Sequence, residues 1–147
     1  MIYIGIDVGE KGGVAIIFED GVCAYPWDDE RFIQTMDIVA NMDADCVACV
    51  EQVHAMPKQG VSSTFAFGKA AGFIEGVLRA NRIAYQLIQP QRWKKEYSLG
   101  KKGKAESIAV CKKLFPNVNL LPTAKCTKDS DGMAEALLMA EYARRHF

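Results

Sequence analysis

The hydrophobic pattern of this chain changes character near residue 28. Before it, apolar and β-branched residues form short continuous runs broken by glycine-rich and acidic turns; after it they recur mainly at helical spacing. Met1–Asp7, Gly13–Phe18 and Val22–Tyr25 are expected as three strands of a tight antiparallel meander, turning at Gly9–Gly13 and at Glu19-Asp20-Gly21. A helix over Asp29–Met42, with Phe32, Ile33, Met36 and Val39 at helical spacing, should return the chain to a parallel strand at Asp45–Val50. Ser63–Asn81 reads as a second helix and Ala84–Ile88 as a fifth strand. Pro90 opens a short helix or loop around Trp93, and Lys104–Leu114 and Asp131–Arg144 are the last two helices. Gly100–Gly103 and Pro116–Lys128 are expected to be the mobile connections. No internal repeat or linker divides the chain, so residues 1–147 are read as one domain.

Composition narrows the class. Half of the residues are hydrophobic, yet no apolar run approaches the roughly 18 residues that a bilayer demands. The opening MIYIGIDVGE has neither a basic segment nor a small-residue cleavage site, and it serves better as a strand than as a signal peptide. A cytoplasmic location follows as an expectation, and the five cysteines, an odd number, agree with it. Cys46 and Cys49 have the spacing of a zinc or redox pair, but residues three apart on a strand face opposite ways and cannot share a metal or a disulfide.

The net charge is zero, but it is unevenly spread. Residues 1–58 hold eleven acids against three bases, a net −8, and residues 59–147 hold seven acids against fifteen bases, a net +8. Arg92, Lys94, Lys95, Lys101, Lys102, Lys104, Lys112 and Lys113 face only Glu96 and Glu106 between positions 92 and 113. Interleaved with Trp93 and Tyr97, that segment suits a phosphate backbone; the alternative is a solvated helix face of snorkelling lysines.

The chemistry lies in four acids. Asp7 and Glu51 close apolar runs, and Asp131 and Glu135 open the last helix, so three separate elements can bring carboxylates to one rim of a sheet. Each alone could be a turn or cap residue. Together, buried, they need a compensating cation, and for an all-oxygen site that is Mg²⁺, with Mn²⁺ as a substitute.

These residues resemble a known family, the RuvC-type Holliday-junction resolvases of the RNase H-like nuclease superfamily. The resemblance is carried by IGIDVG with its following GG turn, VEQVH, FGKAAGFIEGVL, GKAESI and DGMAEALLMAEYARR, in that order. It implies an α/β, RNase H-like fold with a mixed five-stranded sheet and helices on both faces. It also implies a dimeric endonuclease that binds four-way junctions and nicks two strands of like polarity symmetrically. Asp7 and Glu51 match the first two catalytic acids. The other two commonly stand three apart before an Ala-Leu pair; here Glu135 precedes Ala136-Leu137, but the position three before it is Gly132 and the acid is Asp131. Four apart on a helix is still one face, so both can serve one metal, with Asp129 as a substitute for either. Hydrolysis of a phosphodiester suits two divalent ions about 3.5–4 Å apart, Asp7 bridging them, Glu51 completing one site and Asp131 with Glu135 the other.

The family-like GKAES segment makes Lys104 the strongest basic candidate, with Arg92, Lys94, Lys101 and Lys102 as further DNA contacts. His54, just past Glu51, is a candidate to contact DNA or assist catalysis, against the plainer reading of polar surface. Phe65 and Phe67 could stack on an opened junction, but beside glycines at helical spacing they read as core. Gly68, Gly72 and Gly76 form a stripe that must pack closely on something to offset roughly 1 kcal/mol each, either the chain's own sheet or, preferred, a second subunit. Two other functions remain open. Asp-x-Gly before a glycine turn also resembles the actin and sugar-kinase superfamily, which needs a second such domain, and a catalytically silent junction binder would keep the basic segment without needing the acids. Forks and flaps are alternative branched substrates.

Overall fold

Strand β1, Ile2–Asp7, is the centre of the molecule because its side chains are buried on both sheet faces: Ile2, Ile4 and Ile6 look one way, and Gly5 lies beneath a helix on the other. The computed structural model describes all residues 1–147. Antiparallel to β1 runs β2, Gly13–Ile17, and antiparallel to that β3, Val22–Pro26. Helix α1, Asp29–Ala40, capped by the Asp28 side chain on the Arg31 N–H, carries the chain across to β4, Cys46–Glu51, which pairs parallel with β1. Helix α2, Val61–Ala80, leads to the parallel edge strand β5, Ala84–Ile88. Three helices follow: α3, Pro90–Glu96, with proline in its first turn; α4, Lys104–Leu114; and α5, Asp131–His146. The strand order is β3-β2-β1-β4-β5.

The sheet separates two cores. Phe32 and Met36 of α1 and Ile74 and Leu78 of α2 meet the isoleucines of β1 on one face. On the other, α5 lies along the sheet with Trp93, Leu99 and Cys111 packed around it. Cys46 packs with the first core and Cys49 lies in the second, on opposite faces as their spacing requires. No helix is long and apolar enough to cross a membrane.

Helix α5 approaches closely enough that a Cβ on Gly5 would overlap the backbone of Ala136 and Ala140, and one on Gly132 would overlap that of Lys11 and Gly12. This contact fixes the rotation of α5 and explains the spacing of its acids. No side chain fits at 132, so the first acid of the helix stands at 131. Gly5→Ala should therefore cost about 3 kcal/mol and lower Tm by roughly 10 °C in a thermal melt, because helix and strand must part.

Several expectations need correction. Phe65 and Phe67 are not core: they are 74% and 40% exposed. Helix α2 buries its C-terminal half, through Ile74 and Leu78, and its N-terminal half stands clear of the sheet. The glycine stripe is likewise not packed on the chain's own sheet, since a Cβ at Gly68, Gly72 or Gly76 would meet nothing within 4 Å. Trp93 and Tyr97, read as interleaved with a DNA-binding segment, point inward; Trp93 is fully buried and the Tyr97 hydroxyl donates to the Leu138 carbonyl at 2.8 Å. The stretch Pro116–Lys128 is irregular, but it is tied down by the buried Leu120, whose carbonyl accepts from the Ser130 N–H at 2.7 Å.

Candidate active site

The C-terminal ends of β1 and β4 lie side by side, and the parallel register Ile6↔Val50 puts Asp7 next to Glu51. The N-terminus of α5 comes over the same rim, where Ser130 caps the helix through the Met133 N–H at 3.2 Å, so that Asp131 in the first turn is not the cap. Asp131 and Glu135, four apart, face the cleft that Asp7 also lines. All four carboxylates thus reach one neighbourhood, and their charges act on one another. Burial holds Asp7 well above the ordinary carboxylate range, and Glu51, Glu135 and Asp131 push it further up. Burial also raises Glu51, opposed by the indole N–H of Trp93 and reinforced by Glu135.

Basic and polar groups stand against this charge. Lys104 Nζ lies 3.2 Å from Asp131 and Lys94 Nζ lies 3.7 Å from Glu135. Ser107, buried on α4, donates its hydroxyl to Glu135 Oε1 at 2.9 Å, and Trp93 Nε1 donates to Glu51 Oε1 at 3.3 Å. Ser107 and the role of Trp93 were not legible as site features: one serine in a helix carries no signal, and α3 is too short for periodicity to show which side it buries.

The other candidates are dispersed. Lys101 and Lys102 are exposed just ahead of α4, and His54 is exposed in the loop after Glu51. Arg92 is not at the acid rim. It shares a shallow hollow with Lys95 and His146 at the far end of α5, about 20 Å of helix away from Asp131. Asp129 is paired with Lys112 and does not line the cleft.

As they stand, no three of these acids are placed closely enough to hold a metal ion together, and Glu51 does not line the cleft. The donor set nonetheless fits a hard divalent cation: four carboxylates on three elements against two lysines, with burial and the neighbouring acids opposing the charge on Asp7. The Cys49 thiol, which feels the Glu51 charge, is pushed up to about 12 by burial and by that charge. Linkage gives this a sign. Because Asp7 and Glu51 hold protons more tightly when folded, they favour the folded state at low pH, and that contribution is lost as pH rises through their raised values. The metal-free protein should lose Tm as pH rises above the ordinary carboxylate range, and the Tm gained on adding Mg²⁺ should grow over the same rise. Asp7→Asn should raise the metal-free Tm at the highest pH and reduce that growth to the share left by Glu51; differential scanning calorimetry at three pH values checks both.

Fold and rim together define a class: an RNase H-like α/β domain with carboxylates at the C-terminal ends of its central strands. Among solved structures, RuvC from Thermus thermophilus superposes with a TM-score of 0.57 at 14% sequence identity, over 99% of this chain and 96% of that one. The same organism's RuvC in complex with a Holliday-junction substrate gives a TM-score of 0.63 at 16% identity, over 99% and 97%. No family profile matches the chain, and no curated protein aligns with it in sequence. The likeness establishes the RuvC-type fold, with its mixed five-stranded sheet and helices on both faces.

Proposed function

We propose that this protein is a divalent-metal-dependent endonuclease that resolves four-way DNA junctions by paired nicking. The observation that carries the reading is the convergence of Asp7, Glu51, Asp131 and Glu135, from two strands and a helix, on one rim where burial and mutual repulsion leave Asp7 short of positive charge. The four acids would hold Mg²⁺ or Mn²⁺, which when bound supply charge neutralisation at the phosphate and an activated water. Everything else is done by the chain. Trp93 and Ser107 fix the rotamers of Glu51 and Glu135. Lys94 and Lys104, paired with Glu135 and Asp131, stand where they would face the phosphate if those acids held cations. Lys101, Lys102 and, in the loop beside Glu51, His54 extend the contact along the backbone, and Arg92 meets an outlying arm.

A four-way junction has two equivalent cutting points, so a two-fold dimer suits it. The exposed stripe of Gly68, Gly72 and Gly76 on α2 supports a homodimer, having nothing of its own chain to pack on. The likeness to a RuvC bound to a Holliday junction supports the choice of substrate. A cleavage panel of four-way, three-way, flap and linear duplex DNA with Mg²⁺ tests it: the four-way junction should be cut fastest and linear duplex left intact. Equal cutting of linear duplex would overturn the substrate assignment, and preference for a flap or fork would move it to that branched form.

A further inference from the structure

Helix α3 cannot hold its own place. It has seven residues and no side-chain cap at its N-terminus, a length at which isolated helices do not persist in water. Yet it carries two groups that meet the acids: Trp93 Nε1 donates to Glu51 Oε1 at 3.3 Å, and Lys94 Nζ lies 3.7 Å from Glu135. Neither contact has slack, because the first is already long for a hydrogen bond and the second is near the limit of an ion pair. The start of α3 is fixed by the sheet, since Ile88, two residues before Pro90, pairs with Glu51 itself. Its other end lies about 10 Å further on and runs into a turn, with no strand to hold it.

The last turn of α5 holds that end instead. Glu96 Oε1 accepts from Arg145 at 3.2 Å, and Glu96 Oε2 lies 3.2 Å from His146 Nε2. Both partners are themselves anchored. Arg145 Nε donates to the buried Glu141 at 2.8 Å and its guanidinium lies over the Tyr97 ring at 5.3 Å, while the His146 ring rests on Tyr142 at 4.4 Å between centroids.

We infer that Glu96 is a positioning residue of the acid centre: by tying the end of α3 to Arg145 and His146, it sets the swing of the helix on which the Trp93–Glu51 and Lys94–Glu135 contacts depend. The inference rests on the nuclease reading. Glu96 lies at the opposite end of α5 from Asp131, about 20 Å of helix away, so it acts through α3 and not on the phosphate. Partly exposed ion pairs of this kind add little to stability, so without Glu96 the fold stands and the angle of α3 changes.

The test is Glu96→Ala, read by the two indole N–H resonances of ¹⁵N-labelled protein and by single-turnover nicking at saturating junction and Mg²⁺. The chain has two tryptophans, and Trp27, bonded to Asp29 at 2.8 Å and packed with the core on the other face of the sheet, is the internal control; Trp27→Phe assigns the pair. The Trp93 resonance should move and its proton exchange faster while that of Trp27 stays. Nicking should fall about ten-fold, the lower end for groups that orient a metal ligand. Junction affinity should not fall, because a negative charge beside Arg92 and Lys95 is gone. Glu96→Gln, which keeps an acceptor, should lie between, and it carries the test if Glu96→Ala does not fold. Both resonances moving together, neither moving, or a nicking rate within two-fold of wild type overturns the positioning role and leaves the nuclease standing. A Trp93 shift in a protein whose wild type never cuts a junction supports the clamp on α3 and overturns the nuclease.

Discussion

Asp7→Asn is expected to lower the junction-nicking rate by about 1,000-fold or more while junction binding persists or tightens. Asp7 ends the central strand and is the residue whose charge Glu51, Glu135 and Asp131 all oppose, so it is the point at which cations would be shared between elements. The amide keeps the size of the side chain and its place in the sheet. It removes the negative charge with which Asp7 would hold a cation. Binding should not suffer, because the lysines proposed to contact the DNA backbone are untouched and one anionic group at the proposed site is gone. Undiminished Mg²⁺-dependent nicking in this variant, with native circular dichroism, would refute the assignment of the site. Glu51→Gln should follow it, with Trp93 still donating to the amide oxygen.

The second large effect separates the acids at the start of α5. Asp131→Asn and Glu135→Gln should each reduce cleavage by about 100-fold or more, since both line the cleft with Asp7. Asp129→Asn should leave the rate within a few-fold of wild type. Its carboxylate is bound to Lys112 on the far side of Ser130, and losing a partly exposed ion pair should cost about 1 kcal/mol or less of stability. Single-turnover rates for the three variants decide it: an inactive Asp129→Asn beside an active Glu135→Gln would show that the helix offers a different pair.

The fold was legible where burial is two-sided or strictly periodic. The β1 run IYIGID can only be a central strand, and Phe32, Met36 and Val39 mark the inner face of α1 without ambiguity. The element boundaries shifted by only a residue or two, most notably β4, which runs to Glu51 and so includes the acid expected just beyond it. What misled was the assumption that every apolar residue at helical spacing is inside. Phe67 continues the line of Ile74 beyond the sheet and stays 40% exposed, while Phe65, two residues earlier, turns to the other side of α2 and is 74% exposed. The basic segment misled in the opposite sense. Its charges were read as one surface, but α3 turns Trp93 into the core, sends Lys94 to Glu135 and leaves Arg92 at the other end of α5. Gly132 was the least legible residue. It appeared as a departure from a spacing, and only the backbone contact with Lys11 and Gly12 shows that the position admits no side chain.

The central claim, that the four acids form a metal-dependent nuclease centre for branched DNA, is tested most directly by mapping cuts on a synthetic four-way junction, with Mg²⁺ and with EDTA. Two nicks at symmetric positions in strands of like polarity, present with Mg²⁺ and absent with EDTA, are the expected result. A junction left intact at every Mg²⁺ and Mn²⁺ concentration, or cut equally well in EDTA, would contradict it.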